Sequence, residues 1–205
     1  MGLIDSAVAA IGQGLPVVLP TDTVYGLVSS PHTAAATRRI QELKGRSEGQ
    51  PLALLAGDIE TLLAAVPELR GTPAEAIVRA LLPGGFTLVL ANPAGRFPWF
   101  NGATPTAIGV RVPLLDGVAR AILDRAGAVV STSANLHGGA SPLSLDEVPE
   151  EIRSAAGCVV DGGVLPGTPS TVIDFTGAEP HVLREGAEPS GPAIARALAA
   201  LAPAP

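Results

Sequence analysis

Aromatic residues, cysteine and long apolar segments are all scarce in this chain. Phe, Trp and Tyr make up 3% of the 205 residues while hydrophobic residues make up 47%, so the core must be mostly aliphatic. The single cysteine, Cys158, allows no intramolecular disulfide, which fits a reducing compartment. No apolar run approaches the roughly 20 residues that span a bilayer, and the first residues lack the basic start of a signal peptide. We therefore expect a soluble, cytoplasmic protein.

Basic residues and several familiar site patterns are also scarce. The chain has 13 Lys and Arg against 19 Asp and Glu, a net charge of −6 that argues against binding dominated by nucleic-acid phosphates. A local basic pocket for one nucleotide remains compatible with this charge. The sequence contains no GxxxxGK[ST] phosphate loop and no dinucleotide fingerprint, and Ser133 does not lie in a GxSxG motif. Its three histidines and one cysteine lie far apart, so we expect no structural zinc site.

Strand-like and helix-like segments alternate along the chain. The strand-like segments are “PVVLP”, “VYGLVS”, “PLALLA”, “FTLVLA”, “AIGVRVP”, “AVVSTSAN”, “CVVDGG”, “STVIDF” and “HVLRE”. The helical patterns cover residues 3–13, 33–45, 58–66, 72–82, 115–127, 144–157 and 192–202. This interleaving predicts a single α/β domain with a mixed sheet over residues 1–190, followed by a helical tail over 191–205. Asp58 is a predicted N-cap, and Thr72 with Glu75 has the spacing of a capping box.

Polar side chains recur where predicted strands begin or end. They are found at 21–23, in “STSAN” at 131–135, at Ser170 with Thr171, and at Arg184. In open α/β sheets, ligands gather at the carboxyl ends of the strands. Small hydroxyl and amide side chains also favour ordinary turns. Two interpretations therefore stay open for each cluster, a plain turn or a ligand-binding edge.

Three cationic residues have informative positions. Arg111 lies inside the apolar strand “AIGVRVP”, where an unpaired buried guanidinium is costly. It must pair with a carboxylate or face an anionic ligand, and we slightly favour the ligand. Lys44 and Arg46 follow a predicted helix, where the helix dipole alone also favours cations.

Seven motifs, taken together and in order, resemble the YrdC-like family of threonylcarbamoyl-AMP synthases. They are “PTDTVYGL” (20–27), “KGR” followed by “PL” (44–52), “PGGFTLVL” (83–90), “IGVRVP” (108–113), “STSAN” (131–135), “STVID” (170–174) and “LREG” (183–186). The resemblance spans about residues 13–186. It implies a twisted, mostly mixed β-sheet with helices around an open ligand groove.

The resemblance also implies a reaction. Family members use ATP, L-threonine and bicarbonate to make threonylcarbamoyl-adenylate and pyrophosphate, with Mg²⁺ accompanying the ATP. A partner complex then transfers the threonylcarbamoyl group to tRNA. The attacking group would be the carbamate of threonine, so the protein needs no nucleophile of its own and would act by positioning and charge stabilisation.

Site residues follow from the same resemblance, position by position. Lys44 and Arg46 would be catalytic, neutralising phosphate charge. The implied ATP-binding residues are Lys44, Arg46, Gln50, Ser133, Asn135, Ser141 and Arg184. The implied L-threonine-binding residues are Thr23, Arg111, Ser131 and Ser170. No residue is assigned to metal, because Mg²⁺ would arrive with ATP. For Ser131 and Ser133 to face different substrates, the chain would have to leave regular strand geometry between them.

The chain departs from the family pattern at several positions. Ser47 stands where proline is usual, Gln50 where Asn or Lys is common, and “PGG” replaces the commoner “PGP”. Leu55 replaces a threonine-binding histidine of some members and Ala107 a frequent Thr, so the identity of the amino acid stays open.

Two alternative functions also stay open. One is a nucleotide- or double-stranded-RNA-binding paralogue without this activity, whose weak RNA contact would need a joint basic patch. The patch would comprise Arg38, Arg39, Lys44, Arg46 and Arg111. The other is a carbamoyl-adenylate enzyme of the kind fused into hydrogenase maturation proteins.

Overall fold

Strands and helices alternate along the chain as its apolar pattern predicts. The computed structural model describes residues 2–45 and 50–202, and within them the chain forms nine strands, seven α-helices and two 3₁₀ turns. The strands are β1 (Val17–Pro20), β2 (Tyr25–Ser29), β3 (Ala53–Leu55), β4 (Phe86–Ala91), β5 (Ala107–Arg111), β6 (Val129–Ser133), β7 (Cys158–Val159), β8 (Thr171–Asp174) and β9 (His181–Arg184). The helices are α1 (Leu3–Gly12), α2 (Ala34–Leu43), α3 (Ile59–Ala65), α4 (Pro73–Leu81), α5 (Gly117–Ala126), α6 (Glu150–Ala155) and α7 (Ser190–Leu201), and the 3₁₀ turns are Pro67–Leu69 and Leu145–Glu147.

The nine strands form one sheet in the order β7-β1-β2-β6-β3-β5-β4-β8-β9. Three neighbouring pairs are parallel, β1 with β7, β3 with β5 and β4 with β8. The other five pairs are antiparallel. The predicted α/β fold with a mixed sheet is therefore confirmed.

Alternating residues of the strands bury themselves on opposite faces of the sheet, as the period of two requires. On the first face, residues such as Leu54 and Val130 pack in one core cluster with residues of α2, α3, α4, α6 and α7. On the second face, their neighbours Leu55 and Val129 pack in a separate cluster with α1 and α5. Each hydrophobic layer thus has its own helical cover.

The second face is open over β4, β5 and β8. There the residues that alternate with the buried Leu88, Val110 and Ile173 line a cavity, and none of the described residues lining it belongs to a helix. The groove expected from the family resemblance therefore lies where the helical layer of the second face stops.

The helix starts differ in how well the sequence predicts them. Asp58 caps α3 as expected, because its carboxylate accepts from the Thr61 backbone N–H at 2.8 Å. The capping box predicted at Thr72 is wrong. The Thr72 hydroxyl instead donates to the Leu69 carbonyl at 2.6 Å, and Glu75 accepts from the N–H of Gly71 at 2.7 Å. The 3₁₀ turn just before α4 supplies the Leu69 carbonyl that competes for the hydroxyl.

The last helix, α7, packs against α4 with Ala193 and Ala197 buried in the first core cluster. The division into a domain at 1–190 and a tail at 191–205 stays a prediction. Among the described residues, no helix has the length and apolar character needed to cross a membrane.

Candidate functional site

The open part of the sheet forms a cavity of about 470 Å³. It is walled by β2, β6, β3, β5, β4, β8 and β9 and by the loops at their ends. Its polar lining residues are Thr21, Thr87, Asn101, Thr104, Arg111, Ser131, Thr132, Ser133, Ser170, Asp174, Thr176 and Arg184. Gly26 and Gly109 line it in mid-strand, and because they carry no side chain they leave the middle of the sheet accessible.

Arg111 ends β5 and is 8% exposed. Its Nη2 donates to the Asp22 carboxylate and to the Thr23 hydroxyl at 2.7 Å, while the other Asp22 oxygen accepts from the Leu114 N–H at 2.9 Å. Burial lowers the pKa of Arg111, and the Asp22 carboxylate opposes that shift. Arg111 thus pairs with a carboxylate, the first of the two interpretations left open by the sequence, and it also lines the cavity. An anionic ligand at Arg111 stays a prediction.

Part of the Arg111 guanidinium has no partner within the described residues. Its Nε is buried and makes no hydrogen bond there. A guanidinium is a planar fork of five donors, and a bound carboxylate or phosphate oxygen can satisfy the donors that the chain leaves unused. The Asp22 pair therefore holds Arg111 in place without exhausting its capacity to bind an anion.

Arg184 supplies a second guanidinium on the edge strand β9. Its Nε and Nη2 donate to the Ser170 carbonyl at 3.1 and 2.8 Å, and Nη2 also donates to the Ser170 hydroxyl at 3.2 Å. That hydroxyl lies 2.8 Å from the Thr87 hydroxyl on β4. Partial burial lowers the pKa of Arg184, and the positive charge of Arg111 lowers it further. Two like charges facing one cavity favour an anionic ligand between them.

The “STSAN” stretch is both a strand end and a wall of the cavity. β6 continues through Ser133, whose register partner is Gly26, while Ser131 pairs with Val28. Both serines therefore project from the same face, and both line the same cavity. The expected departure from regular strand geometry between them is wrong. Any division of roles between Ser131 and Ser133 must follow their positions along the groove.

Lys44 fastens the turn that follows β6. Its side chain is fully buried, and Nζ donates to the carbonyls of Ser133 and Asn135 and to the Asn135 Oδ1 at 3.2 Å. The Asn135 amide group in turn donates to the carbonyls of Leu136 and Gly139 at 2.8 and 2.7 Å. Lys44 and Asn135 do not line the cavity, but both contact Ser133, since Lys44 donates to the Ser133 carbonyl and the Ser133 hydroxyl donates to the Asn135 Oδ1. Their roles toward phosphate stay predictions.

Apart from Lys44 and Asn135, the residues that the sequence predicted for the site divide into three groups. Arg111, Ser131, Ser133, Ser170 and Arg184 come together in the cavity lining. Thr23 lies one contact behind it, against Arg111. Gln50 and Ser141 are partly buried and do not line it, and Arg46 lies outside the described residues.

The two departures noted near the amino-acid site have different settings. Ala107 begins β5 and lines the cavity, so the missing hydroxyl widens it at that point. Leu55 is fully buried in the second core cluster, among residues that pack with α1 and α5. It is therefore a core residue in this chain.

Sequence reasoning missed five polar residues that line the cavity, namely Thr87, Asn101, Thr104, Asp174 and Thr176, and it gave Asp22 only as a member of the polar cluster at 21–23. The cost of burying Arg111 unpaired was a usable signal for a carboxylate such as Asp22. Thr87 and Asp174 each precede or follow a buried apolar residue, Leu88 or Ile173, and this alternation was a signal that they lie on the opposite face of the sheet. No local pattern distinguishes Asn101 from an ordinary loop asparagine.

A search of the described residues finds no group of three or more His, Cys, Asp or Glu side chains that could hold a metal ion. Mg²⁺ commonly keeps several waters and binds through one or two carboxylates together with substrate phosphates. Asp174 on the cavity wall is one such carboxylate. The residues present are thus compatible with a magnesium ion that is held mainly by a nucleotide.

A family model for Sua5, YciO and YrdC proteins, described as “Telomere recombination”, matches residues 9–186. The chain belongs to this family. A Mycobacterium tuberculosis relative is 33% identical over 187 residues, which cover 89% of this chain and 83% of that protein. The threonylcarbamoyl-AMP synthase of Pyrococcus abyssi is 34% identical over 184 residues, which cover 89% of this chain but 54% of the relative. Such synthases are ATP-using nucleotidyltransferases, and the chain is an enzyme of this type.

Solved structures show the same fold. P. abyssi Sua5 complexed with L-threonine superposes with a TM-score of 0.75 at 31% identity, covering 89% of this chain and 54% of that one. Escherichia coli YciO superposes with a TM-score of 0.79 at 27% identity, covering 93% and 92%. This chain therefore spans nearly all of YciO and about half of Sua5.

Proposed function

We propose that this protein is a threonylcarbamoyl-AMP synthase, which makes threonylcarbamoyl-adenylate and pyrophosphate from ATP, L-threonine and bicarbonate. The observation that carries the proposal is the pair of arginines, Arg111 and Arg184, facing one hydroxyl-lined cavity. Relatives with 31–34% identity bear the synthase name, and a family structure with L-threonine bound supports an amino-acid site.

The chemistry needs no covalent intermediate with the protein. The amine of threonine attacks bicarbonate to give a carbamate and water. A carbamate oxygen then bonds to the α-phosphorus of ATP while the bond from that phosphorus to the bridging oxygen of the β-phosphate breaks. Pyrophosphate leaves with the electron pair. The protein contributes by bringing two anions together and compensating charge that builds on the phosphorus oxygens.

Arg111 is the anchor for the threonine carboxylate in this proposal. Asp22 and Thr23 hold one of its terminal nitrogens, and the other donors of this cavity-lining guanidinium remain for a carboxylate oxygen. Ser131 and Ser170 flank it with hydroxyl groups in the cavity wall. Because the Asp22 carboxylate already holds the Arg111 side chain, binding an anion costs it little further conformational entropy.

The nucleotide is assigned to the residues that the family resemblance implies for ATP. We propose that Lys44, Arg46, Gln50, Ser133, Asn135, Ser141 and Arg184 serve ATP, with Lys44 and Arg46 compensating phosphate charge. Mg²⁺ bound to the phosphates would neutralise the pyrophosphate as it leaves. Arg184 lines the cavity directly, whereas Lys44 also holds the backbone of Ser133.

The product is proposed to pass, in the cytoplasm, to a complex that transfers threonylcarbamoyl to tRNA. Direct RNA binding by this chain has less support. Of the basic residues that would have to form a patch, Lys44 is fully buried and Arg111 is 8% exposed. A net charge of −6 opposes RNA binding further.

The deciding experiment measures pyrophosphate release from ATP with and without L-threonine and bicarbonate. We expect release that requires both. Arg111→Ala should raise KM for threonine by about 10- to 100-fold, since a charge-assisted hydrogen bond contributes about 1.5–3 kcal/mol. Arg125→Ala is the control, because Arg125 forms an exposed pair with Asp5 outside the cavity. Release independent of threonine, or an unchanged KM in a folded Arg111→Ala protein, would contradict the proposal.

A further inference from the structure

Two asparagines on the loop between β4 and β5 use their side chains differently. Asn92 is fully satisfied within the chain. Its amide nitrogen donates to the carbonyls of Arg96 and Pro105 at 2.9 and 3.0 Å, and its Oδ1 accepts from the Arg96 N–H at 3.0 Å. Asn101 also donates to the Arg96 carbonyl, at 2.8 Å, but its Oδ1 has no partner within the described residues.

Chemistry decides which Asn101 atom is the oxygen. A backbone carbonyl only accepts, so the atom that contacts the Arg96 carbonyl must be the NH₂ group and the other must be Oδ1. Asn101 is 5% exposed and lines the cavity. Leaving a buried acceptor unsatisfied costs about 1–3 kcal/mol. A ligand that donates to this oxygen would remove that cost.

Asn101 lies toward the end of the cavity where β5 begins. The preceding residue, Phe100, accepts from the Leu52 N–H at 2.8 Å, which places the loop beside the start of β3. Cavity residues there are Pro51, Leu52 and Ala107, and Ala107 is the first residue of β5 whereas Arg111 is the last. A neutral amide oxygen repels phosphate and carboxylate oxygens and suits an uncharged N–H or O–H donor.

We propose that Asn101 is a specificity-determining residue whose Oδ1 accepts a hydrogen bond from an uncharged N–H or O–H group of a bound substrate. The inference rests on the proposed function, which supplies two sources of that chemistry. One is the adenosine part of ATP, through its 6-amino or ribose hydroxyl groups. The other is the side-chain hydroxyl of threonine.

The test compares Asn101→Ala with the matched variant Asn92→Ala. Both remove a donor to the Arg96 carbonyl, but only Asn101→Ala removes an acceptor from the cavity. We expect Asn101→Ala to raise KM for one substrate by about 2.3- to 13-fold, the range for a neutral hydrogen bond of about 0.5–1.5 kcal/mol. Asn92→Ala should leave both KM values within twofold of the parent at a temperature where it is folded.

Substrate analogues identify the donor by a double-substitution cycle. Purine riboside triphosphate lacks the 6-amino group, 2′,3′-dideoxy-ATP lacks the ribose hydroxyls, and 2-aminobutyrate lacks the threonine hydroxyl. The difference between parent and Asn101→Ala should vanish with one analogue, and that analogue names the source. The inference is overturned if neither KM changes more than twofold, if the difference survives all three analogues, or if Asn92→Ala reproduces it.

Failure of the proposed function remains distinguishable from failure of this inference. If the parent protein shows no threonine-dependent pyrophosphate release, the proposed function fails. Calorimetric titrations of the parent and Asn101→Ala with ATP and with threonine then decide the role of Asn101. A weaker Kd for one compound, lost with its analogue, supports the acceptor role, and equal Kd values for both compounds refute it.

Discussion

Replacing Asp22 by alanine would leave the buried guanidinium of Arg111 without its carboxylate. The two side chains are 11% and 10% exposed, so water can compensate little of the lost interaction. Removing one partner of a buried ion pair costs about 3–5 kcal/mol, because the other charge stays buried and uncompensated. The hydrogen bond from the Leu114 N–H to Asp22 would also be lost, at a cost of about 1 kcal/mol.

The expected change in melting temperature follows from that free energy. For a chain of about this size, each kcal/mol shifts Tm by about 2–4 °C, so Asp22→Ala should lower Tm by about 8–24 °C. The double variant Asp22→Ala/Arg111→Met removes the stranded charge as well. It should therefore melt at a higher temperature than Asp22→Ala alone, even though it carries one more substitution.

Thermal unfolding followed by circular dichroism at pH 7 measures Asp22→Ala, Arg111→Met, the double variant and the parent. Arg125→Ala serves as the control, since it breaks the ion pair with Asp5, in which both side chains are about half exposed, and it should not change Tm measurably. A fall of less than about 3 °C for Asp22→Ala would refute the idea that the pair is buried and coupled. Strictly additive effects of the two substitutions would refute it equally.

Two further predictions concern single side chains outside the cavity. Asp58→Ala should lower the free energy of unfolding at pH 7 by about 1 kcal/mol through loss of the cap on α3, whereas Asp116→Ala should change it little because Asp116 makes no side-chain cap on α5. The Thr61 N–H lowers the pKa of Asp58, so the loss of stability in Asp58→Ala should be complete above about pH 4 and should disappear as the pH falls through the lowered pKa. Urea unfolding that gives the same loss for Asp58→Ala at pH 7 and at pH 2 would contradict this. Burial raises the pKa of the Cys158 thiol, so iodoacetamide at pH 8 should alkylate the folded protein more slowly than the protein in 8 M urea, and equal rates by mass spectrometry would contradict that.

Local sequence patterns predict most of the secondary structure because the interactions responsible lie within a few residues. All nine strand-like segments form strands, and alternation of apolar and polar residues sorts the two faces of β4 and β8. The Asp58 cap is equally local. Thr72 shows the limit, since a 3₁₀ turn just before α4 offers its hydroxyl a competing carbonyl.

The candidate site could be predicted only as a set of residue types near strand ends. Ser131, Ser133, Ser170, Arg111 and Arg184 all reach the cavity wall, as the motifs suggested. What each contacts depends on the order of the strands in the sheet, which no local pattern contains. Thus Lys44, expected to face phosphate, holds the backbone of a strand 89 residues away.

The sequence alone determined the alternation of strands and helices, the aliphatic core and the family motifs, because each depends on composition or on neighbours along the chain. Only the tertiary structure decided that Asp22 holds Arg111, that Asn101 lines the cavity with an oxygen that has no partner among the described residues, and that “PGG” can replace “PGP”. In the last case the Gly85 N–H, which a proline would lack, donates to Glu188 at 2.7 Å across 103 residues. Contacts at that separation exist only because one mixed sheet brings distant strands side by side and leaves part of one face uncovered.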